Sequence, residues 1–153
     1  MRFFVVLHVA TMFTAVAIAL GPAYLLQRIG HSGDVPTIRA SFALAAPLSK
    51  AIPVLYGLGA ALGIVAIFTN DLDPFEPFLL IAYALFILAS VVGFTMNKPW
   101  FERVVKLSEE SPDDSPSAEL TAALHDPRMQ VVDWFDRIII LAFIFDMVLK
   151  PFS

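Results

Sequence analysis

The chain has 153 residues, of which 58% are hydrophobic and only 16% charged, and its net charge is −4. Soluble domains average about 45–50% apolar and about 25% charged residues, so this composition excludes an ordinary soluble enzyme and a disordered chain. The acidic balance excludes a basic nucleic-acid-binding surface, and the absence of cysteine excludes disulfides, thiolate metal sites, cysteine nucleophiles and iron–sulfur ligation.

In chain order, the spacing of charges marks the membrane spans. A bilayer core about 30 Å thick needs roughly 20 apolar residues of helix. No charge falls between Arg2 and Arg28, which makes residues 3–27 the first span. This stretch exceeds the roughly 7–15-residue apolar core of a signal peptide, so it reads as a retained helix. The connection 28–50 carries Arg28, Arg39 and Lys50. Within it, Asp34 before Val35-Pro36 predicts a helix start, because Asp caps free N–H groups and Pro fits the first turn. That helix is expected to run into a second span, 51–70, with a bend at Pro47 or Pro53.

Residues 71–77 carry acids and neither Lys nor Arg. A third span, 78–97, should continue past Pro99 along the membrane surface. The stretch 108–117 is polar and acidic, contains Pro112 and Pro116, and reads as a mobile linker. A short helix over 117–124 then leads to Asp126-Pro127, a second cap signal. The fourth span, 128–150, includes Asp133, Asp136, Arg137 and Asp146. Its uninterrupted apolar run, 138–145, is short for a bilayer. Flanking Val131, Trp134, Phe135, Val148 and Leu149 lengthen it, and a bundle can shelter the charges.

Positive residues concentrate in the connections 28–50 and 98–127, so both should be cytoplasmic and both termini periplasmic. The expected fold is all-α: a single membrane domain over 1–153, folded as an up-down bundle of four transmembrane helices in a bacterial inner membrane. Small residues identify the packing faces. Gly59 and Gly63 form a GxxxG pair on the second span. His8, Thr11, Met12, Ala15, Ala19 and Pro22 share one face of the first. The simplest use of the GxxxG pair is packing within one chain.

Polar residues fall at two levels. At 1.5 Å per residue, His8, Tyr83 and Asp146 lie about 6–9 Å inside the outer boundary. With Met12 and Met147 nearby, they form a candidate cofactor site. Imidazole, carboxylate and thioether suit copper, with His8 and Asp146 as candidate metal ligands. The competing structural reading is a hydrogen-bonded bridge between helices. At the inner level, Asp133 and Asp136 lie one turn apart, with Lys50 and Arg137 as counter-ions. This is either a cytoplasmic-side pocket or an ion-pair network holding the fourth helix to the second. Lys98, Trp100, Trp134 and Tyr24 fit interfacial anchoring. His31 and His125 both belong to the cytoplasmic side, most of a bilayer away from His8, so the geometry disfavours a haem held by His8 and either of them.

Leu7-His8, Gly21-Pro22, Pro53 with Gly57, and the ending Met147-Val148-Leu149-Lys150-Pro151 resemble a bacterial four-helix family of predicted integral membrane proteins of unknown function. The Leu-His start is also similar to copper-resistance and haem-associated four-helix membrane proteins. Those families use further histidines in their spans, which this chain lacks; His8 is the position the resemblance would carry over. Three functions follow as expectations: a non-enzymatic structural or accessory bundle, a haem or copper protein centred on His8 and Asp146, or a small-solute or proton carrier acting as an oligomer. The expected partners are the lipid bilayer and a second copy or another membrane protein, with no nucleic acid.

Overall fold

The computed structural model describes residues 3–150. Arg2, which bounds the first expected span, and Pro151, at the end of the resemblance motif, lie outside them. The described chain is helical, with α1 (Phe3–Gly30), α2 (Val35–Thr69), α3 (Pro77–Val92), a π-helical turn (Gly93–Asn97), α4 (Lys98–Glu110), α5 (Ala118–Leu124) and α6 (Pro127–Leu149). Three stretches are long and apolar enough to cross a membrane: Phe3–Gly30, Val35–Thr69 and the continuous helix Pro77–Glu110. α6 does not meet that standard by composition, because Asp133, Asp136, Arg137 and Asp146 interrupt its 23 residues.

Local chemistry sets most helix boundaries. Ser117 starts α5 by accepting from the Leu120 N–H at 3.1 Å, and Asp126 starts α6 by accepting from the Arg128 N–H at 2.9 Å. Asp34 stands at the start of α2 as expected, but its carboxylate accepts from the Thr37 hydroxyl rather than from a backbone N–H. Pro22, Pro47 and Pro53 all lie inside helices that continue through them. The π-helical turn immediately precedes Pro99, whose ring crowds the carbonyl one turn back and which has no N–H to donate. There the ladder widens, and the Lys98 N–H bonds the Gly93 carbonyl, five residues earlier.

Two antiparallel hairpins carry the architecture. α1 packs along α2, and α3 packs along α6. In the first, a Cβ placed on Gly63 would meet the His8 ring at 3.0 Å, and one placed on Gly59 would collide with the Met12 side chain. The GxxxG pair is thus a notch filled by α1 of the same chain. The small-residue face read from the sequence is the one that packs, with Ala15 at its fully buried centre. In the second hairpin, Asn97 bonds Asp136 at 2.8 Å, and the Lys150 ammonium lies 5.1 Å from the centre of the Phe78 ring. These contacts tie the middle and the C-terminal end of α6 to opposite ends of the Pro77–Asn97 stretch. The hairpins meet through larger side chains: Tyr56 against Phe86, and Ile67 against Phe78 and Leu79.

α2 has 35 residues, about 52 Å at 1.5 Å per residue, and so exceeds a bilayer by roughly 20 Å. Its excess builds a cap. Val35, Ile38, Phe42 and Ala45 form one buried stripe and pack with Leu26, Val104, Leu120 and Ala123. Phe42 is fully buried, with its ring against Phe101 at 5.5 Å and Trp100 at 6.1 Å. Trp100 donates its indole N–H to the Ala123 carbonyl at 2.8 Å. It therefore joins the cap core, where the sequence suggested an interfacial anchor.

The stretch 108–117 is also more fixed than its composition implies. α4 extends to Glu110, and Ser108 and Ser111 are buried. Arg39 donates to the Ser108 and Ser111 carbonyls, each at 3.0 Å, and to the Asp113 carboxylate at 2.9 Å. The Ser111 and Ser117 hydroxyls lie 3.0 Å apart and close the loop. The guanidinium supplies donors to carbonyls that the end of α4 leaves without helical partners.

Outside the cap, large apolar side chains point outward. Phe13 is 76% exposed, Phe68 69% and Leu141 65%. Such a surface would be untenable in water and suits contact with lipid.

Candidate functional site

No hydrogen bond joins the outer-level residues His8, Tyr83 and Asp146. The His8 Nδ1 lies 2.7 Å from the Gly59 carbonyl oxygen. Because a carbonyl only accepts, Nδ1 carries the hydrogen, and the imidazole is a strut from α1 to α2. Met12 packs over Gly59 in the same notch. Tyr83 and Met147 are each 37% exposed. Asp146 is 2% exposed, and neither carboxylate oxygen has a hydrogen-bond partner. Neither His8 nor Tyr83 therefore bonds to Asp146, and the expected His8–Tyr83–Asp146 bridge is not formed. Their similar depth along the chain did not put them on facing sides, because α1 pairs with α2 while α6 pairs with α3.

What surrounds Asp146 is apolar. It lines an open groove along α3 and α6 with Ile81, Leu85, Ile138, Leu141, Ala142 and Phe145. Ala142, one turn earlier, leaves space beside the carboxylate. A buried carboxylate without a partner is costly in any low-dielectric environment. Among the described residues, Asp146 is the buried side chain left without a hydrogen-bond partner, and internal packing does not explain its presence.

The inner level is satisfied differently. The Asp133 carboxylate pairs with Arg137 at 2.7 Å on the same face of α6, and Arg137 stacks over Trp134 at 5.3 Å. Asp136 accepts from the Asn97 side chain. Lys50 is exposed on α2 and takes no part; Asp133 and Arg137 pair within α6 and Asp136 reaches Asn97, so these contacts do not make the expected network of Lys50, Asp133, Asp136 and Arg137 between the fourth helix and the second. The contact across helices is that of Asn97, which the π-helical turn presents towards α6. The Asp133–Arg137 pair lines a cleft with Gln27, His31, Gln130 and Trp134, where the end of α1 faces the start of α6.

Sequence reading missed the contact between His31 and His125. Their ring centres lie 4.5 Å apart with the planes at 77°. The available signal was that both follow helix ends that the charge pattern assigns to one side of the membrane. Among the described residues, no three His, Cys, Asp or Glu side chains gather as a metal-ligand group. No protein-family model, curated protein or solved structure matches this chain.

Proposed function

We propose that this chain is an accessory membrane bundle, a non-enzymatic scaffold with α6 as a fourth span and the cap in the cytoplasm of a bacterial cell. The observation that carries this reading is the use of His8. Its Nδ1–H is committed to the Gly59 carbonyl inside the Gly63 notch, which is helix–helix fastening. Asn97–Asp136 likewise acts as a strut. The fourth span is supported by the antiparallel pairing of α6 with α3 from Asn97–Asp136 to Phe78–Lys150, since α3 belongs to a helix able to cross the membrane. On this topology both termini share the outer side, and the Arg- and Lys-rich cap faces inward. Membership of the bacterial four-helix family is part of the same reading.

The test is native mass spectrometry of the full chain released gently from detergent, with His8→Ala beside it. An accessory bundle gives a chain free of haem and copper and a His8→Ala variant that differs only in thermal stability. Stoichiometric haem or copper, lost in His8→Ala, would overturn the reading in favour of a cofactor protein.

A second reading rests on Asp146. An unpartnered carboxylate in an apolar groove is the kind of group a proton or small-solute carrier uses, and four helices would need an oligomer to enclose a path. Proton flux into proteoliposomes that disappears in Asp146→Asn would establish this reading. Flux equal to that of empty liposomes would eliminate it.

A further inference from the structure

We infer that His31 and His125 form a binding site for a divalent late transition-metal ion such as Zn²⁺, held at the rim of the cap between the ends of α1 and α5. The fold brings the two rings together by a specific approach. α1 ends at Gly30, where an added Cβ would lie 2.7 Å from the Leu124 side chain. With no side chain on Gly30, the Leu124 side chain occupies that space. Each histidine follows immediately, His31 after Gly30 and His125 after Leu124, and the rings meet with centres 4.5 Å apart.

Both imidazoles are preset in the same way. The His31 Nδ1 lies 2.6 Å from the Gln27 carbonyl oxygen, and the His125 Nδ1 lies 2.9 Å from that of Thr121. A carbonyl only accepts, so each Nδ1 bears the hydrogen and each neutral ring keeps its lone pair on Nε2. A backbone carbonyl holding one ring nitrogen while the other is free is the outer-sphere arrangement that orients metal-binding histidines. The carbonyl end of α1 adds partial negative charge beside the pair. The nearest cation in the adjoining cleft, Arg137, is paired with Asp133.

The donor set defines the ion class. Two imidazoles with no cysteine in the chain favour Zn²⁺, Ni²⁺ or Cu²⁺ over Mg²⁺ and Ca²⁺, which require oxygen cages. Both histidines are exposed, and among the described residues no third ligand completes the set. Water would fill the remaining positions, which makes the site exchangeable rather than a closed structural centre. Occupancy would clip the end of α1 to the end of α5. This site is independent of the role assigned to His8.

The experiment is calorimetric titration of the full chain in detergent, purified without a polyhistidine tag, using Zn²⁺ alone. One Zn²⁺ per chain is expected, with affinity reduced at least about tenfold in both His31→Ala and His125→Ala and unchanged in His8→Ala; Mg²⁺ should give no heat of binding. Undiminished affinity in either cap variant would overturn a shared site. A wild-type readout guards against misfolded variants: diethyl pyrocarbonate labelling followed by peptide mass spectrometry. Zn²⁺ should protect His31 and His125, and labelling unaffected by Zn²⁺ would overturn the proposal.

Discussion

Asn97, in the π-helical turn before Pro99, donates its side-chain amide to the Asp136 carboxylate across the α3–α6 pair at 2.8 Å. The widened turn and the polar residue within it serve one contact. Asn97→Ala strands the acceptor and should cost about 0.5–2 kcal/mol, the range for polar contacts between membrane helices. Asn97→Asp should cost more by placing like charges together. Thermal unfolding of the two variants in one detergent orders them.

The α1–α2 contact is limited by space at Gly63. Gly63→Val must displace the His8 ring, and overpacking of this kind costs about 1–3 kcal/mol. Shortening the partner should relieve the strain, so Gly63→Val combined with His8→Ala should lose less stability than the sum of the single changes. A double-mutant cycle on melting temperatures reads the coupling. Simple additivity would mean that the two residues do not share the notch.

Asp146 offers a prediction of opposite sign. Replacing a buried, unpartnered carboxylate by an apolar side chain removes a desolvation cost, so Asp146→Leu should stabilise the chain by about 1–3 kcal/mol. Ala142 and the open groove leave room for the larger residue. A raised melting temperature in Asp146→Leu would mark the aspartate as kept at the expense of stability, the usual signature of a working residue.

The cap should be separable in its response from the spans. Phe42→Ala empties a fully buried aromatic site and should cost about 3–5 kcal/mol. Hydrogen exchange should then accelerate over α4 and α5 while the paired stretches of α1 and α2 near Gly59 keep their protection. Arg39→Ala removes the donors that hold 108, 111 and 113, and limited proteolysis should cut within 111–117 about tenfold faster, equivalent to losing roughly 1.4 kcal/mol of local closure.

The spans were legible because charge is so costly in lipid that long gaps between charges already outline helices. Residues 3–27 and 51–70 fall inside α1 and overlap α2 on this ground alone, although both helices extend further. The small-residue face around Ala15 was readable for a similar reason, since close backbone approach needs small side chains. The cap core was not readable: Val35, Ile38 and Phe42 repeat at helical spacing, but nothing local says that Val104 and Leu120 cover them. Composition misled at 108–117, where Arg39, far away in sequence, holds a polar loop in place. For the outer site, depth along the chain was correct information but insufficient. Which helix faces which is a tertiary property, and it turns His8 to α2 and sets the helix of Asp146 against α3.

α2 passes Lys50 without a break, so residues 35–50 are continuous, through Pro47 and Pro53, with the part able to cross the bilayer. It acts as a lever. Val35 lies about 22 Å from Lys50 along the axis, so a 10° change in helix tilt would sweep it sideways by about 4 Å. That displacement exceeds the clearance of a packed side chain, and Phe42 rides on the same arm. Membranes of different thickness impose different tilts on a long helix, and any such change in α2 would be carried into the cap through Val35 and Phe42.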